Sequence, residues 1–462
     1  MQLSFIRAAC QARPVEDSPA TDPVIAGIST DSRKIQPGML FAALTGPHFD
    51  GHDYIPTAIA NGATAILAER MPPGVCPVPV LRVDDVLTAL GEAGRAWRTQ
   101  IAPVVIGVTG SSGKTTVKEM IAACLRRDMA VVHATTGNLN NHIGVPLTLL
   151  AMPEGCQAAV VEMGMSAPGE IAHLAGLARP VIGVVTNVQP AHMASFSDIQ
   201  SVAAAKGELL AHLPPDGLCL IPADDPNRDI LEQQAGSRPT QRFGLGVAAE
   251  IRWEETPENG NPTGSRRGII HWPDGDALPV DLGLCGHHMI LNALAAAGAA
   301  RAAGVSLQSI GAALSDFAPL AGRGLAQQAP AGWTVIDDTY NANPGSMRAA
   351  LATLGVRPAT RRVAILGDML ELGEHSATWH AQLAHEIIKN RVALVITTGD
   401  AMAALHHALS GLPEVQAHHL HDPAEWSATL SSLLRPGDAI LVKGSRGMRM
   451  ERIVKDLMNH AV

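Results

Sequence analysis

The sequence predicts an α/β protein of three domains, and two observations carry that prediction. Short, apolar, β-branched runs recur at VVIGVT (104–109), AVVH (130–133), AAVVEM (158–163), VIGVVTN (181–187) and LCLI (218–221), with helical stretches between them. Runs that are apolar on both sides of the chain belong to parallel strands covered on both faces. The alternation resumes after a stretch of linker composition, DFAPLAGRGLAQ (316–327). It continues through TVIDDTY (334–340), RVAILGD (362–368), ALVITTGD (393–400) and AILVKGS (439–445). A chain of 462 residues suits two to four domains of ordinary size.

Ahead of these units lies a smaller one. VIAGISTDSRKI (24–35) reads as a short strand entering a polar turn, MLFAAL (39–44) as a strand, and TAIANGATAILAE (57–69) as helix, glycine turn and strand. Two proline-rich tracts, MPPGV (71–75) and PVPV (77–80), follow, and a helical pattern begins after VDD (83–85). A boundary near 84 gives domains 1–83, 84–320 and 321–462. EETPENGNPTGSRRG (254–268) reads as a surface hairpin or loop, and a helix from 289 closes the central domain.

Apolar residues make up 47% of the chain and charged residues 17%, which excludes a disordered or fibrous protein. Aromatics at 3% leave little for stacking on single-stranded nucleic acid. A net charge of −9 without like-charge blocks offers no basic footprint for nucleic acid or an anionic membrane. The six cysteines are scattered, as in a reducing compartment. Arg7 interrupts the apolar stretch near the N-terminus, so no signal-peptide pattern is seen. MILNALAAAGAARAAGV (289–305) carries Asn292 and Arg301 and reads as a packed helix, not a membrane span. A cytoplasmic location and a monomer are expected.

GVTGSSGKTT (107–116) is the strongest signal. A strand enters it, and a helix leaves it with Val117, Met120, Ile121, Cys124 and Leu125 on one face. Glycines let backbone N–H groups curl around a phosphate, and the helix N-terminus adds a positive dipole end. Gly110, Ser111, Ser112, Gly113, Lys114, Thr115 and Thr116 would cradle the phosphates, with Lys114 reaching the β- and γ-phosphates and Thr115 a Mg²⁺. Val108 stands where the common pattern has its first glycine, and the alternative reading is an ordinary glycine-rich turn.

Further candidate sites lie along the chain. Glu162 ends the AAVVE strand, where a carboxylate can hold Mg²⁺ or simply lie on the surface. His192 follows the strand exit VVTNVQPAH and is a ligand or a structural histidine. Lys206 sits in a helical pattern, SVAAAKGELLAHL, where a lone lysine is usually solvated. The histidines at 406, 407, 418, 419 and 421 lack cysteine or carboxylate partners at ligand spacing. IDDTYNANPGS (336–346) is an unusually polar strand exit or a plain turn. VKGSRG (442–447) offers Lys443 and Arg446 to an anion, or is a solvated basic loop.

Together these segments resemble the Mur ligase superfamily, ATP-dependent amide-forming enzymes of peptidoglycan precursor synthesis. The resemblance runs through TDSRKIQPGMLFAALTGPHFDGHDYIPTAIANGA (30–63), TGSSGKTT, TTGNLNNHIGVPLTLL, EMGMSAPGEI, TNVQPAH, AAKGELL, GHHMILNALAA (286–296), GDMLELGEHS (367–376) and KGSRGMRME. DDTYNANPGSM (337–347) is most specific to the member that joins D-alanyl-D-alanine to UDP-N-acetylmuramoyl-tripeptide. The resemblance implies a UDP-binding N-terminal domain, a central P-loop ATPase-type domain and a Rossmann-like C-terminal domain. It makes Thr115 and Glu162 ligands of the Mg²⁺ bound with ATP, and His192 and Lys206 ligands of a second Mg²⁺, with Lys206 a candidate for carbamylation. It places Asn292 on the adenine, and Arg323 and Asp338 on the ATP from the third domain. It sets Asn341 and Asn343 along the dipeptide site, and Ser29, Asp31, Ser32 and Arg33 on the UDP. The sequence departs from the family at Met289, where Asn is frequent after His288, and at Ser195, where Gly is frequent. The rival readings are a sister ligase adding one amino acid, a folylpolyglutamate synthetase-like enzyme, or a P-loop ATPase coupled to motion.

Overall fold

The computed structural model of the chain describes residues 1–13, 15, 18–70, 76–190, 193, 195–256, 266–283, 286–421 and 426–459. Three sheets follow one another along the sequence. The first is parallel, with β1 (Gly27–Ser29), β2 (Met39–Ala42), β3 (Ala65–Ala68) and β4 (Val80–Arg82) in sequential order.

The central sheet contains β5 (Val104–Thr109), β6 (Val132–Ala134), β7 (Ala158–Glu162), β8 (Ile182–Val185) and β9 (Leu218–Pro222). It continues with β10 (Thr240–Gly244), β11 (Ile251–Glu255), β12 (Arg266–His271) and β13 (Ala277–Leu282). Its order is β13-β12-β11-β10-β9-β8-β5-β7-β6. The strands from β5 to β11 run parallel, and β12 and β13 extend the edge antiparallel. This edge was expected as a polar loop or hairpin over 254–268, and β11 and β12 occupy its two ends; residues 257–265 lie outside the described residues. The edge strands alternate inward apolar with outward polar residues, as Ile251 and Trp253 do against Arg252 and Glu254. A search for fully apolar runs passes over such half-exposed strands.

The third sheet contains β14 (Leu325–Gln328), β15 (Thr334–Asp338), β16 (Arg361–Gly367), β17 (Leu394–Thr398), β18 (Gln416–Leu420) and β19 (Asp438–Lys443), in the order β14-β15-β19-β16-β17-β18. It is parallel apart from β14, which pairs antiparallel with β15. The stretch read as a linker over 316–327 therefore ends inside an edge strand.

One apolar core runs without a break from the N-terminal sheet to one face of the central sheet. It joins Leu3 and Ile6 to Leu90, Trp97, Val105, Val161 and Leu209. Phe5 meets the Trp97 ring edge-on at 5.4 Å, so the boundary near 84 is a change of sheet and not a gap in packing. On the opposite face the helix Lys114–Asp128 buries Val117, Met120, Ile121, Cys124 and Leu125 completely, the face expected from its periodicity. The alanine-rich helix His287–Ala302 packs beside it. β5 lies between β7 and β8, and the chain departs to opposite sides of β5. In open α/β sheets that switch point opens a crevice at the carboxyl ends of the strands.

Candidate active site

The crevice holds the glycine-rich loop. Gly110 to Gly113 connect β5 to the helix that starts at Lys114, and Gly113 is the N-cap with φ 80°. A Cβ on Gly113 would sit 2.6 Å from Asn292 Oδ1, so both the left-handed backbone and the close approach call for glycine. No side chain caps this helix, which leaves its first amides free for an anion. The loop is braced from the β8 exit. Asn187 accepts from the Ser111 and Ser112 amides at 3.0 Å, and the Thr186 hydroxyl donates to the Ser112 carbonyl at 2.6 Å.

Lys114 turns back to donate to the Gly110 carbonyl at 2.7 Å. Burial, with Arg323 nearby, lowers its pKa against the opposing pull of Glu162. Thr115 donates through Oγ1 to Glu162 Oε2 at 2.7 Å, and Asn140 Nδ2 donates to Oε1 at 2.8 Å. Glu162 is 2% exposed, so the surface alternative for this carboxylate is excluded. A cleft of about 290 Å³ is bounded by His142, Gly164, Glu170 and His173, on the segments that follow Asn140 and Glu162.

Lys206 is not a solvated helix lysine: it is 2% exposed in the helix Ile199–Ala211. Burial and the neighbouring Lys114 ammonium hold its pKa well below the usual lysine range. Among the described residues it has no carboxylate or hydrogen-bond partner. His192 lies outside the described residues.

The third domain closes over the loop. The Arg323 guanidinium carbon lies over Tyr340, 4.0 Å from the ring centroid, and Arg323 donates to Thr115 Oγ1 at 2.8 Å. Asn343 caps the helix Pro344–Val356 and donates through Nδ2 to Ser112 Oγ at 3.2 Å. Gln189 Oε1 accepts from Ser112 Oγ at 2.8 Å. A Cβ on Gly345 would stand 2.1 Å from that Gln189 oxygen, so the two domains touch closely here and a side chain at 345 would push the Gln189 amide aside. Asp338 pairs with Lys443 at 2.7 Å, and Lys443, 2% exposed, also donates to the Asn341 carbonyl at 2.9 Å. Lys443 is thus no part of a solvated loop. Burial raises the Asp338 pKa against the pull of Lys443 and Arg323. Asn292, 7% exposed, donates weakly to Met289 Sδ at 3.7 Å. Met289 lines a cavity of about 60 Å³ with His288, Arg323, Asp338 and Thr353 at the domain seam.

Ser29 ends β1 of the N-terminal sheet, and Asp31, Ser32 and Arg33 form the 3-10 turn that follows it. Arg33 holds the Asp31 carboxylate through two 2.9 Å hydrogen bonds and lowers its pKa. Ser32 is buried and its carbonyl accepts from Asn61. Sequence reading assigned no role to Asn140, Asn187 or Gln189. Their signal was position, since each follows a parallel strand at the carboxyl edge where the crevice opens.

Descriptions of this family match nearly the whole chain: a Mur ligase family catalytic domain at 24–98, a Mur ligase middle domain at 108–300 and a Mur ligase glutamate ligase domain at 323–446. The chain belongs to the Mur ligase family. Among Mur ligases, the UDP-N-acetylmuramoyl-tripeptide–D-alanyl-D-alanine ligase of Escherichia coli is 38% identical over 95% of each chain. The Bacillus subtilis ligase of the same name is 36% identical over 94% of this chain and 93% of its own. The crystal structure of MurF from Acinetobacter baumannii superposes with a TM-score of 0.89 at 34% identity, covering 99% of this chain and 98% of that one. MurF of Thermotoga maritima in complex with ADP gives a TM-score of 0.81 at 28% identity, over 94% of this chain and 97% of that one.

Proposed function

We propose that this chain joins D-alanyl-D-alanine to UDP-N-acetylmuramoyl-tripeptide, forming UDP-N-acetylmuramoyl-pentapeptide, ADP and phosphate from ATP. The observation that carries this reading is the meeting of two domains at one point. Arg323 and Asn343 of the third domain reach Thr115 and Ser112 of the phosphate loop. Relatives named for this activity match 94–95% of the chain.

In this reading the tripeptide's terminal carboxylate attacks the γ-phosphorus of ATP, ADP leaves, and an acyl phosphate forms. The dipeptide amine then attacks the acyl carbon, loses a proton, and phosphate departs as the amide forms. The open amides of residues 110–116 hold the triphosphate, and Lys114 exchanges the Gly110 carbonyl for phosphate oxygens. The approach of Asn292 to Gly113 supports its contacting the nucleoside beyond the loop. Arg323 turns from Thr115 to the phosphates, and Asp338 keeps Lys443 and the 338–343 segment in register so that Asn341 and Asn343 line the dipeptide site. Ser29, Asp31, Ser32 and Arg33 hold the UDP end of the other substrate.

The family implies a divalent cation with the nucleotide, and the donors fit one. Thr115 Oγ1 and Glu162 Oε2 are hard oxygens 2.7 Å apart, close to the spacing of two adjacent ligands around Mg²⁺. Bound there, Mg²⁺ neutralises charge on the triphosphate and lets a carboxylate approach it. Lys206 supports a second site. A buried amine held neutral adds carbon dioxide with loss of a proton, and the resulting carbamate, with His192, is a ligand set for a second ion.

Mass spectrometry of the products tests the reading. With ATP, UDP-muramoyl-tripeptide and D-alanyl-D-alanine, the expected product is the pentapeptide with one ADP per amide. ADP release without amide, or equal turnover with the dipeptide withheld, would overturn it in favour of an ATPase coupled to motion.

A further inference from the structure

Lys118 is one of the largest fully buried side chains in the protein, at 1% exposure, and none of the roles above uses it. It lies one turn beyond the phosphate loop on the helix Lys114–Asp128. A lysine sealed from water loses its hydration and needs specific acceptors. Lys118 has two: its ammonium donates to the Glu119 carboxylate and to the backbone carbonyl of Thr135.

Thr135 is the residue that matters. It sits directly after β6, and its amide bonds the Val160 carbonyl of β7 at 3.0 Å. Its hydroxyl accepts from the backbone amide of Glu162 at 3.0 Å. Thr135 also begins the segment 135–143, which doubles back to Glu162. Within it, the Asn140 carbonyl accepts from the Gly164 amide at 2.7 Å, and Asn140 Nδ2 donates to Glu162 Oε1 at 2.8 Å. The other oxygen, Oε2, faces Thr115. Glu162 is therefore held at its amide and at one carboxylate oxygen by a segment whose first carbonyl is pinned by Lys118.

We propose that Lys118 is a positioning residue for the divalent-cation site. Its bond to the Thr135 carbonyl ties the helix that bears Thr115 to the segment that orients Glu162. It thereby fixes the spacing of the two oxygen donors, and its positive charge offsets the concentration of carbonyl and carboxylate oxygens behind them. This rests on the nucleotide reading above. Residues that orient the ligands of a metal typically change metal affinity or activity by about 10- to 100-fold when removed.

The test uses the full chain with Lys118→Met, which keeps most of the side-chain volume. Mg²⁺ titrations of turnover at saturating ATP should show a half-saturating concentration raised by about tenfold. Calorimetric ADP binding supplies a readout free of turnover: affinity without Mg²⁺ should match the parent, and the gain in affinity on adding Mg²⁺ should shrink. Lys118→Gln keeps a donor near the Thr135 carbonyl. It should fall between the two proteins, and it supplies the reading if the methionine variant does not fold. Thr135→Val combined with Lys118→Met should be less than additive, because both act through one residue. A lowered melting temperature with unchanged Mg²⁺ half-saturation and unchanged Mg²⁺ effect on ADP binding would reduce Lys118 to a structural residue and overturn the proposal. Absence of any Mg²⁺ effect in the parent would instead remove the nucleotide reading.

Discussion

Lys114 and the buried Lys206 are electrostatic neighbours, and among the described residues only Lys114 of the two has an oxygen to bond. The charge of Lys114 opposes protonation of Lys206, and a triphosphate beside the first or a negative charge on the second would relieve that opposition. Lys114→Ala should lower turnover by at least about 10²-fold with the melting temperature kept, because no other side chain of the loop carries positive charge. Normal amide formation by that variant would remove the phosphate-loop assignment. Lys206→Ala should lose activity and recover part of it with added short carboxylates, which occupy the vacated ligand position. Lys206→Arg keeps the charge but cannot form the carbamate, so a fully active arginine variant would make Lys206 a structural cation.

Among the elements, the helix Pro344–Val356 links local folding to the joining of domains. Asn343 accepts from the Ser346 amide at 2.8 Å while Ser346 bonds back to the Asn343 amide, a reciprocal cap. The same Asn343 reaches Ser112, so one side chain starts the helix and touches the phosphate loop. Asn343→Ala should cost about 1 kcal/mol from the lost cap. Asn343→Ser restores a capping oxygen on a shorter side chain. Denaturant midpoints that recover in Asn343→Ser while kcat/KM for the dipeptide stays low would separate the two roles. Recovery of both would leave Asn343 a cap alone.

At the seam between the central and third domains His288 is half-buried. Burial, then Lys443 and His287, pull its pKa down to about 4, against about 6.5 for a free histidine. Between those two values the unfolded chain binds a proton that the folded chain refuses. Stability from this site is therefore complete above about pH 6.5, is lost as the pH falls toward 4, and changes no further below that. His288→Gln should flatten the fall in melting temperature between pH 7 and pH 5 relative to the parent. Identical slopes in the two proteins would mean that His288 is protonated as easily in the folded seam as in water.

Local pattern alone determined a good deal. β5 spans 104–109 as the apolar run predicted, the helix after it buries the expected stripe, and Gly113 takes the left-handed backbone that its place in the loop requires. These follow from short-range rules: side-chain periodicity, glycine conformation and the open amides of a helix start. The half-exposed strands β10, β13 and β14 escaped, and β11 and β12 were seen only as a surface hairpin or loop, because their alternation is short and their apolar residues are few. By residue pattern alone Lys206 was a solvated helix lysine, and only the family resemblance made it a metal ligand; Lys443 stood between an anion contact and a solvated loop, and Lys118 drew no notice at all. Burial of a lysine depends on which other helices and strands lie over it, and those come from distant parts of the chain. The partners of Glu162 illustrate the same limit: Thr115 and Asn140 arrive from either side of β7 only because β5, β7 and β6 are neighbours in the sheet. Strand order is set by long-range packing, which the residue pattern of any one strand does not encode.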